Sequence, residues 1–288
     1  MQDLQFDLKC LCDRNRDGSF STQNARRRNL DLIARELHTL GFRHLRATGL
    51  KPKHVERLVA QWQTGGIAVA TIKNRMAHLR WWAEKTGRTF VIPRDNTQLG
   101  IPDRVYVTNE NKAVVLNDAA LAQIKNDYVL ASLALQAAFG LRREESIKFI
   151  PGYADRGDHI ALKDTWCKGG RARQVPILTQ EQSEALAQAK RVAGSGSLIP
   201  SERHYVQQLK VYERETAAVG LHRLHGLRHR YAQARYQALT GWAAPAAGGP
   251  QAAELNPQQR AIDRSARLQI SAELGHEREA ITALYLGR

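Results

Sequence analysis

The 288-residue sequence has no apolar run long enough to cross a bilayer. Its longest candidate, Val129 to Gly140, is broken by Ser132 and Gln136 and reads as a buried helix. The N-terminus, with Asp3, Asp7 and Lys9, lacks the layout of a secretory signal, so a cytoplasmic protein with no membrane partner is expected. Cysteine is scarce. The odd set Cys10, Cys12 and Cys167 fits reduced thiols better than a disulfide framework, and Cys10 and Cys12 lack the second pair that a zinc site needs. Acid is also short, with 28 Asp and Glu against 43 Lys and Arg and a net charge of +15. Such an imbalance implies a polyanionic partner, nucleic acid foremost. The 43% hydrophobic content supports a packed core and excludes global disorder.

The excess charge is concentrated early. Residues 1–95 hold 18 Lys and Arg against nine Asp and Glu. Residues 1–22 read as polar and irregular, with a turn at Asp17-Gly18. A helix is expected from about Asn24, carrying Leu30, Ile33, Ala34, Leu37 and Leu40 at helical spacing up to Gly41. A second holds Val55, Leu58, Val59 and Trp62. A third holds Ile72, Met76, Leu79 and Ala83, and Trp81 and Trp82 are assigned to packing. This makes a small helical bundle. Arg26, Arg27 and Arg28, with Lys73, Arg75 and Arg80 on the third helix, form a set suited to phosphate contacts, which position a protein on a duplex without reading sequence. Residues 96–104 read as a linker between this domain (1–95) and a second (105–288), and two lobes so joined could close around a duplex.

In the second domain, Asn117 is a candidate N-cap for a helix through Ile124, and Tyr128 to Phe139 is apolar nearly all round. Gly140-Leu141-Arg142-Arg143-Glu144-Glu145 follows. Arg142 and Glu145 share a helical face, and in isolation a surface salt bridge explains them. His159–Leu162 and Arg173–Ile177 read as strands flanking a Lys168-Gly169-Gly170 turn, where an ordinary turn lysine is again the simpler reading. Helices are expected around Leu186 and from Arg203 to Val219. His225 and Arg228 stand one helical turn apart and can face one anion. His222, His225 and His229 have metal-like spacing, but they lack an evident fourth ligand and sit among Arg223, Arg228 and Arg230, so no metal is expected. Residues 241–257, rich in Ala, Pro and Gly, read as a loop or flexible insertion before a helix from about Gln258 to Leu274. The sequence then runs Leu274-Gly275-His276, with Tyr285 nine residues on.

The ordered set Arg142 with Glu145, Lys168, His225 with Arg228, His276 and Tyr285 resembles that of the tyrosine recombinases, the phage integrase family of phages and integrative mobile elements. Gly-Leu-Arg-x-x-Glu matches the first arginine box, and Lys-Gly-Gly-Arg-x-Arg-x-Val-Pro-Ile the lysine hairpin. His-x-Leu-Arg-His-x-Tyr matches the second arginine box, and Leu-Gly-His with its distant tyrosine the last. Four such strings in order, over residues 105–288, are far more specific than any one. The resemblance implies a mainly α fold with a small β-sheet: an N-terminal helical core-binding (SAM-like) domain and a C-terminal α+β catalytic domain. It implies a site-specific DNA recombinase or integrase working through a 3′-phosphotyrosyl link made by Tyr285. Arg142, Arg228 and His276 would bind the phosphate, Lys168 would protonate the leaving 5′-oxygen, His225 would assist proton transfer, and Glu145 would orient Arg142. Arg171 and Arg173 on the same hairpin join the DNA-contact set. No cofactor is needed, because the covalent link retains the bond energy. The implied partners are double-stranded DNA, three further copies in a tetramer, and an accessory directionality factor.

Two departures from the family pattern stand out. His225 and His276 lie 51 positions apart, about twice the family expectation, with the 241–257 stretch making up the excess. Only three residues follow Tyr285, so what holds the tyrosine in place is open. The rival readings are a type IB topoisomerase-like enzyme and a non-catalytic DNA-binding regulator. A compact two-domain layout argues against the first, and a full set of competent residue types against the second.

Overall fold

The computed structural model describes residues 3–276 and 278–288, and the chain divides into two compact units, 1–105 and 106–288. In the first, α1 (Asp3–Arg14), α2 (Phe20–Thr39), α3 (Pro52–Thr64) and α4 (Val69–Lys85) form a helical bundle. The expected stripes meet inside it: Leu30, Ile33 and Leu37 of α2, Val55, Leu58 and Trp62 of α3, and Ile72, Met76, Leu79 and Trp82 of α4 are all buried. Two tryptophans with no exposed surface anchor this core, each a large apolar area taken from water.

The opening stretch differs from its reading as irregular. It is helix α1, and Leu4 and Leu8 seat it on the bundle. One apolar residue per turn among charges is a narrow stripe, sufficient only because the bundle supplies the other face. Helix α2 starts four residues before Asn24, capped by the Ser19 hydroxyl, which accepts from Thr22 N at 3.2 Å. The segment read as a linker packs on this unit. Ile101 is buried in its core, and Gln63 Nε2 donates to Gly100 O at 2.7 Å.

The second unit contains α5 (Asp118–Leu121), α6 (Asp127–Phe139), α7 (Arg143–Ile147), α8 (Pro151–Ala154), strands β1 (His159–Leu162) and β2 (Arg173–Pro176), α9 (Gln180–Ala193), α10 (Tyr205–Ala218), α11 (Gly226–Thr240), α12 (Pro257–Glu273) and α13 (Glu279–Leu286). The strands pair antiparallel with His159 opposite Pro176 and Leu162 opposite Arg173, the only sheet among the described residues. Helix α6 runs through the centre, with Leu133, Leu135 and Phe139 inaccessible to solvent, which explains its lack of a polar face. The two strands, α9, α11, α12 and α13 pack around the same core. The 241–257 stretch is not a free loop: Pro245–Ala247 makes a 3-10 turn, and Ala244 is fully buried in that core. Small side chains and prolines suit such a close-packed crossing, and composition alone does not distinguish it from a mobile loop. No described helix is long and apolar enough to cross a membrane.

Candidate active site

Helix α6 ends at Gly140 with φ +61°, where an added Cβ would lie 2.6 Å from the Tyr231 ring. Only glycine takes this turn cheaply, and it sends the chain directly into Arg142. Arg142 caps α7. Its backbone N donates to Glu145 Oε2 and its Nη1 to Oε1, both at 2.7 Å. Neighbouring Arg143 points away and pairs with Glu213 on the surface.

Glu145 is completely buried and serves two arginines. Arg173 on β2 donates to both carboxylate oxygens, Nη2 at 2.6 Å and Nη1 at 2.9 Å. Burial pushes the Glu145 carboxyl up, but the hydrogen bonds and charge of Arg173, with Arg228 and Arg142 behind it, prevail and hold it down at about 2. Arg173 also donates to Glu273 O at 2.8 Å and to the Cys167 sulfur at 3.2 Å. Its expected DNA contact is therefore corrected. Arg173 is buried, with its donors spent on protein, because a carboxylate with no exposed surface requires a cation beside it.

Arg228, on the first turn of α11, is 1% exposed. Its Nη1 donates to Gly140 O at 2.5 Å and its Nη2 to Leu274 O. Two backbone carbonyls, at the ends of α6 and α12, thus orient the guanidinium. The buried Nε has no hydrogen-bond partner among the described residues. Burial, then Arg142, lowers its pKa to about 10, which leaves it cationic at neutral pH. His276 Nε2 lies 3.4 Å from Arg228 Nη2, and its Nδ1 lies 3.3 Å from the Thr282 hydroxyl on α13. Burial and then the charges of Arg228, Arg142 and Arg173 push His276 down to about 3, so its imidazole is neutral.

Tyr285 on α13 lies against these groups, 6% exposed. Its hydroxyl is 3.2 Å from His225 Nε2, the residue that caps α11. Its ring stacks on His276 at 5.3 Å between centroids, meets His229 at 4.6 Å, and has the Arg228 guanidinium 5.7 Å away. His225 is exposed at its outer edge. Burial of the remainder, followed by Arg228 and Arg142, lowers its pKa, as suits an imidazole that accepts a proton. His229, weighed in the sequence only as a metal ligand, is a packing partner of the tyrosine, held down to about 4 by burial and then by His225.

The structure therefore gathers Arg142, Glu145, His225, Arg228, His276 and Tyr285, with Arg173 and Thr282 added. It leaves Lys168 exposed in the turn between β1 and β2, joined to none of them. Glu277, inside the last motif, lies outside the described residues. Among the first-unit cations, Arg27 and Arg28 are exposed. Arg26 is buried over Trp81 at 4.0 Å and pairs with Asp17, and Arg75 pairs with Glu36. Arg80 donates to Pro93 O and Asn96, and Lys73 pairs with Asp103. Each of these four is engaged by an acid, amide or carbonyl of its own unit, as exposed Arg27 is by Asp13. A helical wheel shows only that a cation lies off the apolar stripe; its partner comes from a separate segment, a loop for Arg26, Arg80 and Lys73 and helix α2 for Arg75.

This architecture is that of the tyrosine recombinases. The chain is similar to the Tn1549 transposon integrase in complex with circular intermediate DNA (14% identity, TM-score 0.57, covering 100% of this chain and 96% of that one). It is also similar to the XerH site-specific recombinase bound to palindromic difH substrate (16%, 0.57, 99% and 81%) and to a lambda integrase dimer bound to a COC′ core site (14%, 0.58, 98% and 78%). At such identities these likenesses establish the fold. Residues 1–92 match the family model "Phage integrase, N-terminal" and residues 101–234 match "Integrase". No curated protein matches the sequence. The chain belongs to the phage integrase family and is an enzyme of the tyrosine-type, site-specific DNA recombinase class. The second match ends before His276 and Tyr285, which join the site through the geometry above.

Proposed function

We propose that this integrase binds double-stranded DNA, breaks a strand by attack of the Tyr285 hydroxyl on a phosphodiester, and rejoins strands after exchange within a tetramer in the cytoplasm. One observation carries this reading: the Tyr285 hydroxyl sits 3.2 Å from an imidazole of lowered basicity, while its ring borders a buried arginine oriented by two backbone carbonyls.

The steps balance without a cofactor. The phenolic oxygen forms a bond to phosphorus and its proton passes to His225 Nε2. The bond from phosphorus to the 5′-oxygen breaks, and that oxygen takes a proton from Lys168, which leaves a 3′-phosphotyrosyl link and a 5′-hydroxyl. Arg142, Arg228 and neutral His276 donate to the non-bridging oxygens, where charge rearranges in the transition state. Glu145 and Arg173 fix the Arg142 guanidinium, and Lys168 reaches the leaving group from its exposed turn when DNA is bound. The reverse attack by a different 5′-hydroxyl exchanges strands. Arg27, Arg28 and Arg171 supply contacts to the DNA backbone, and control of direction falls to an accessory factor.

A library of nicked, random-sequence duplexes tests this. The nick lets the cleaved fragment diffuse away and traps the covalent adduct. The wild-type chain should accumulate protein–DNA adducts whose sequenced DNA defines the site, and Tyr285→Phe should bind the same DNA without forming any. Adducts at the wild-type level in Tyr285→Phe would overturn the assignment.

A further inference from the structure

Glu273 is the last residue of α12 and stands directly before Leu274-Gly275-His276. It is 4% exposed. The C-terminal end of a helix carries partial negative charge on its unpaired carbonyls, so a buried carboxylate is an unfavourable side chain to seat there. Local rules of this kind are broken chiefly where function compensates. Three donors surround the carboxylate. The Tyr231 hydroxyl donates at 2.8 Å, Arg235 Nε at 3.0 and 3.2 Å, and Gln269 Nε2 at 3.2 Å. Tyr231 and Arg235 lie one turn apart on α11, so Glu273 fastens the end of α12 to that helix.

The backbone of the same turn carries two arginines of the site. Arg173 Nε donates to the Glu273 carbonyl at 2.8 Å, and Arg228 Nη2 donates to the Leu274 carbonyl. Gly275, with φ +65°, leaves room for the first of these: a Cβ there would sit 2.9 Å from Arg173 Cδ. Consecutive carbonyls at the negative end of α12 thus anchor cations from β2 and α11, an arrangement that the helix dipole favours. The other anchor of Arg228 leads back to the same place. Its Nη1 is held by the Gly140 carbonyl, and Gly140 lies against the ring of Tyr231, whose hydroxyl binds Glu273.

We propose that Glu273, together with Tyr231, is a positioning residue for the phosphate-binding arginines. Its carboxylate fixes the last turn of α12, and that turn sets Arg228 directly and Arg142 through Arg173 and Glu145. The inference rests on Arg142 and Arg228 binding the scissile phosphate. Glu273 and Tyr231 act through these guanidinium groups, since their own polar groups bond to each other and to protein. A displacement of about 1 Å at a reacting centre costs roughly 10²-fold in rate, so an unpinned turn slows cleavage without weakening the grip on DNA.

The test uses the full chain and a duplex recovered from the nicked library, made with an ordinary scissile phosphate or with either diastereomer of a methylphosphonate there. Each diastereomer has a methyl group in place of one non-bridging oxygen, so the donor that serves this oxygen is no longer needed. Tyr231→Phe removes one hydroxyl and keeps the ring against Gly140, and Glu273→Gln keeps the shape of the side chain. Each should lower single-turnover cleavage of the ordinary duplex about 10- to 100-fold, with affinity for that duplex unchanged. Arg228→Lys identifies the diastereomer that lacks the oxygen its guanidinium serves, because its deficit shrinks there. On that diastereomer the deficits of Tyr231→Phe and Glu273→Gln should shrink as well. Wild-type rates for both variants on the ordinary duplex would overturn the proposal. So would deficits of equal size on all three duplexes, which would make Glu273 a support of the fold alone. If Glu273→Gln does not fold, Tyr231→Phe decides the matter. An Arg228→Lys deficit that neither diastereomer relieves would instead refute the phosphate-binding role of that arginine, and adducts formed by Tyr285→Phe would refute the nucleophile.

Discussion

Arg173 Nη2 and Glu145 Oε2 meet at 2.6 Å in the interior, and this pair ties the β-hairpin to the helix that Arg142 caps. The carboxylate has no exposed surface, so its charge depends on the arginines around it. Arg173→Met removes the partner that offsets the burial of Glu145 and should cost about 3–5 kcal/mol of stability. Chemical denaturation would show it as a lower midpoint with an unchanged slope. Arg173→Met with Glu145→Met should recover part of the loss, because no carboxylate is then left buried without the cation beside it, although Arg142 loses its acceptor. DNA cleavage should remain impaired in the double variant, since Arg142 would lack its acceptor.

Arg228→Lys retains the charge yet should reduce cleavage by about 10²–10³-fold, the usual cost of losing one oriented donor to a transition-state oxygen. An ammonium cannot hold the Gly140 and Leu274 carbonyls and still present a planar edge to phosphate. Single-turnover cleavage at saturating protein would separate this from binding, which should weaken far less.

These two arginines show how much was legible in the sequence. The strings around Arg142, Lys168, Arg228 and Tyr285 carried the family and the mainly α architecture, because each chemical role needs a fixed residue type at nearly fixed spacing. The Arg173–Glu145 pair was not legible, since its members lie 28 residues apart and only the tertiary fold, with β2 packed on α12, brings them together. The same holds for Asn109, which meets Arg288 across 179 positions. Helix α1 was missed for a different reason: Leu4 and Leu8 show a helical stripe only when a partner surface is known.

Acid should destabilise the protein before any carboxylate titrates. His276 is held down to about 3 and His229 to about 4, and His225 is also lowered, each first by burial. In the unfolded chain all three take up protons near pH ~6.5. Between that value and their folded pKa values the unfolded state binds more protons, so stability is complete above about 6.5 and is lost progressively as pH falls. Melting temperature followed from pH 7.5 to 4.5 should decline, and His276→Gln should flatten the decline. A melting temperature independent of pH over this range would contradict the neutral, buried imidazoles.

Binding should be steeply dependent on salt. The net charge is +15, and each phosphate contact releases condensed counterions, which lowers log K in proportion to log salt with a slope of about −0.9 per contact on duplex DNA. Arg27→Ala with Arg28→Ala should reduce the magnitude of that slope by about 2. Arg26→Ala should leave it unchanged, because that side chain is already paired with Asp17 beneath Trp81. Fluorescence anisotropy titrations between 50 and 300 mM salt, roughly the range over which such slopes are linear, distinguish the exposed pair from the buried arginine.

Lys168 is the site member that no contact joins to the others, so its role rests on reach, and a leaving-group experiment isolates it. As the proton donor to the 5′-oxygen, it is needed only when that oxygen leaves as a poor alkoxide. Lys168→Ala should slow cleavage of ordinary DNA by about 10²–10⁴-fold, the usual worth of a positioned general acid. A substrate with sulfur at the bridging 5′ position expels a thiolate, which needs no proton at neutral pH, and Lys168→Ala should cleave it at nearly the wild-type rate. Arg228→Lys should gain nothing from the same substrate, because its defect lies at the non-bridging oxygens. Tyr285→Phe should remain inactive on both. Failure of the sulfur substrate to rescue Lys168→Ala would remove the lysine from proton transfer and leave it a phosphate contact on the hairpin.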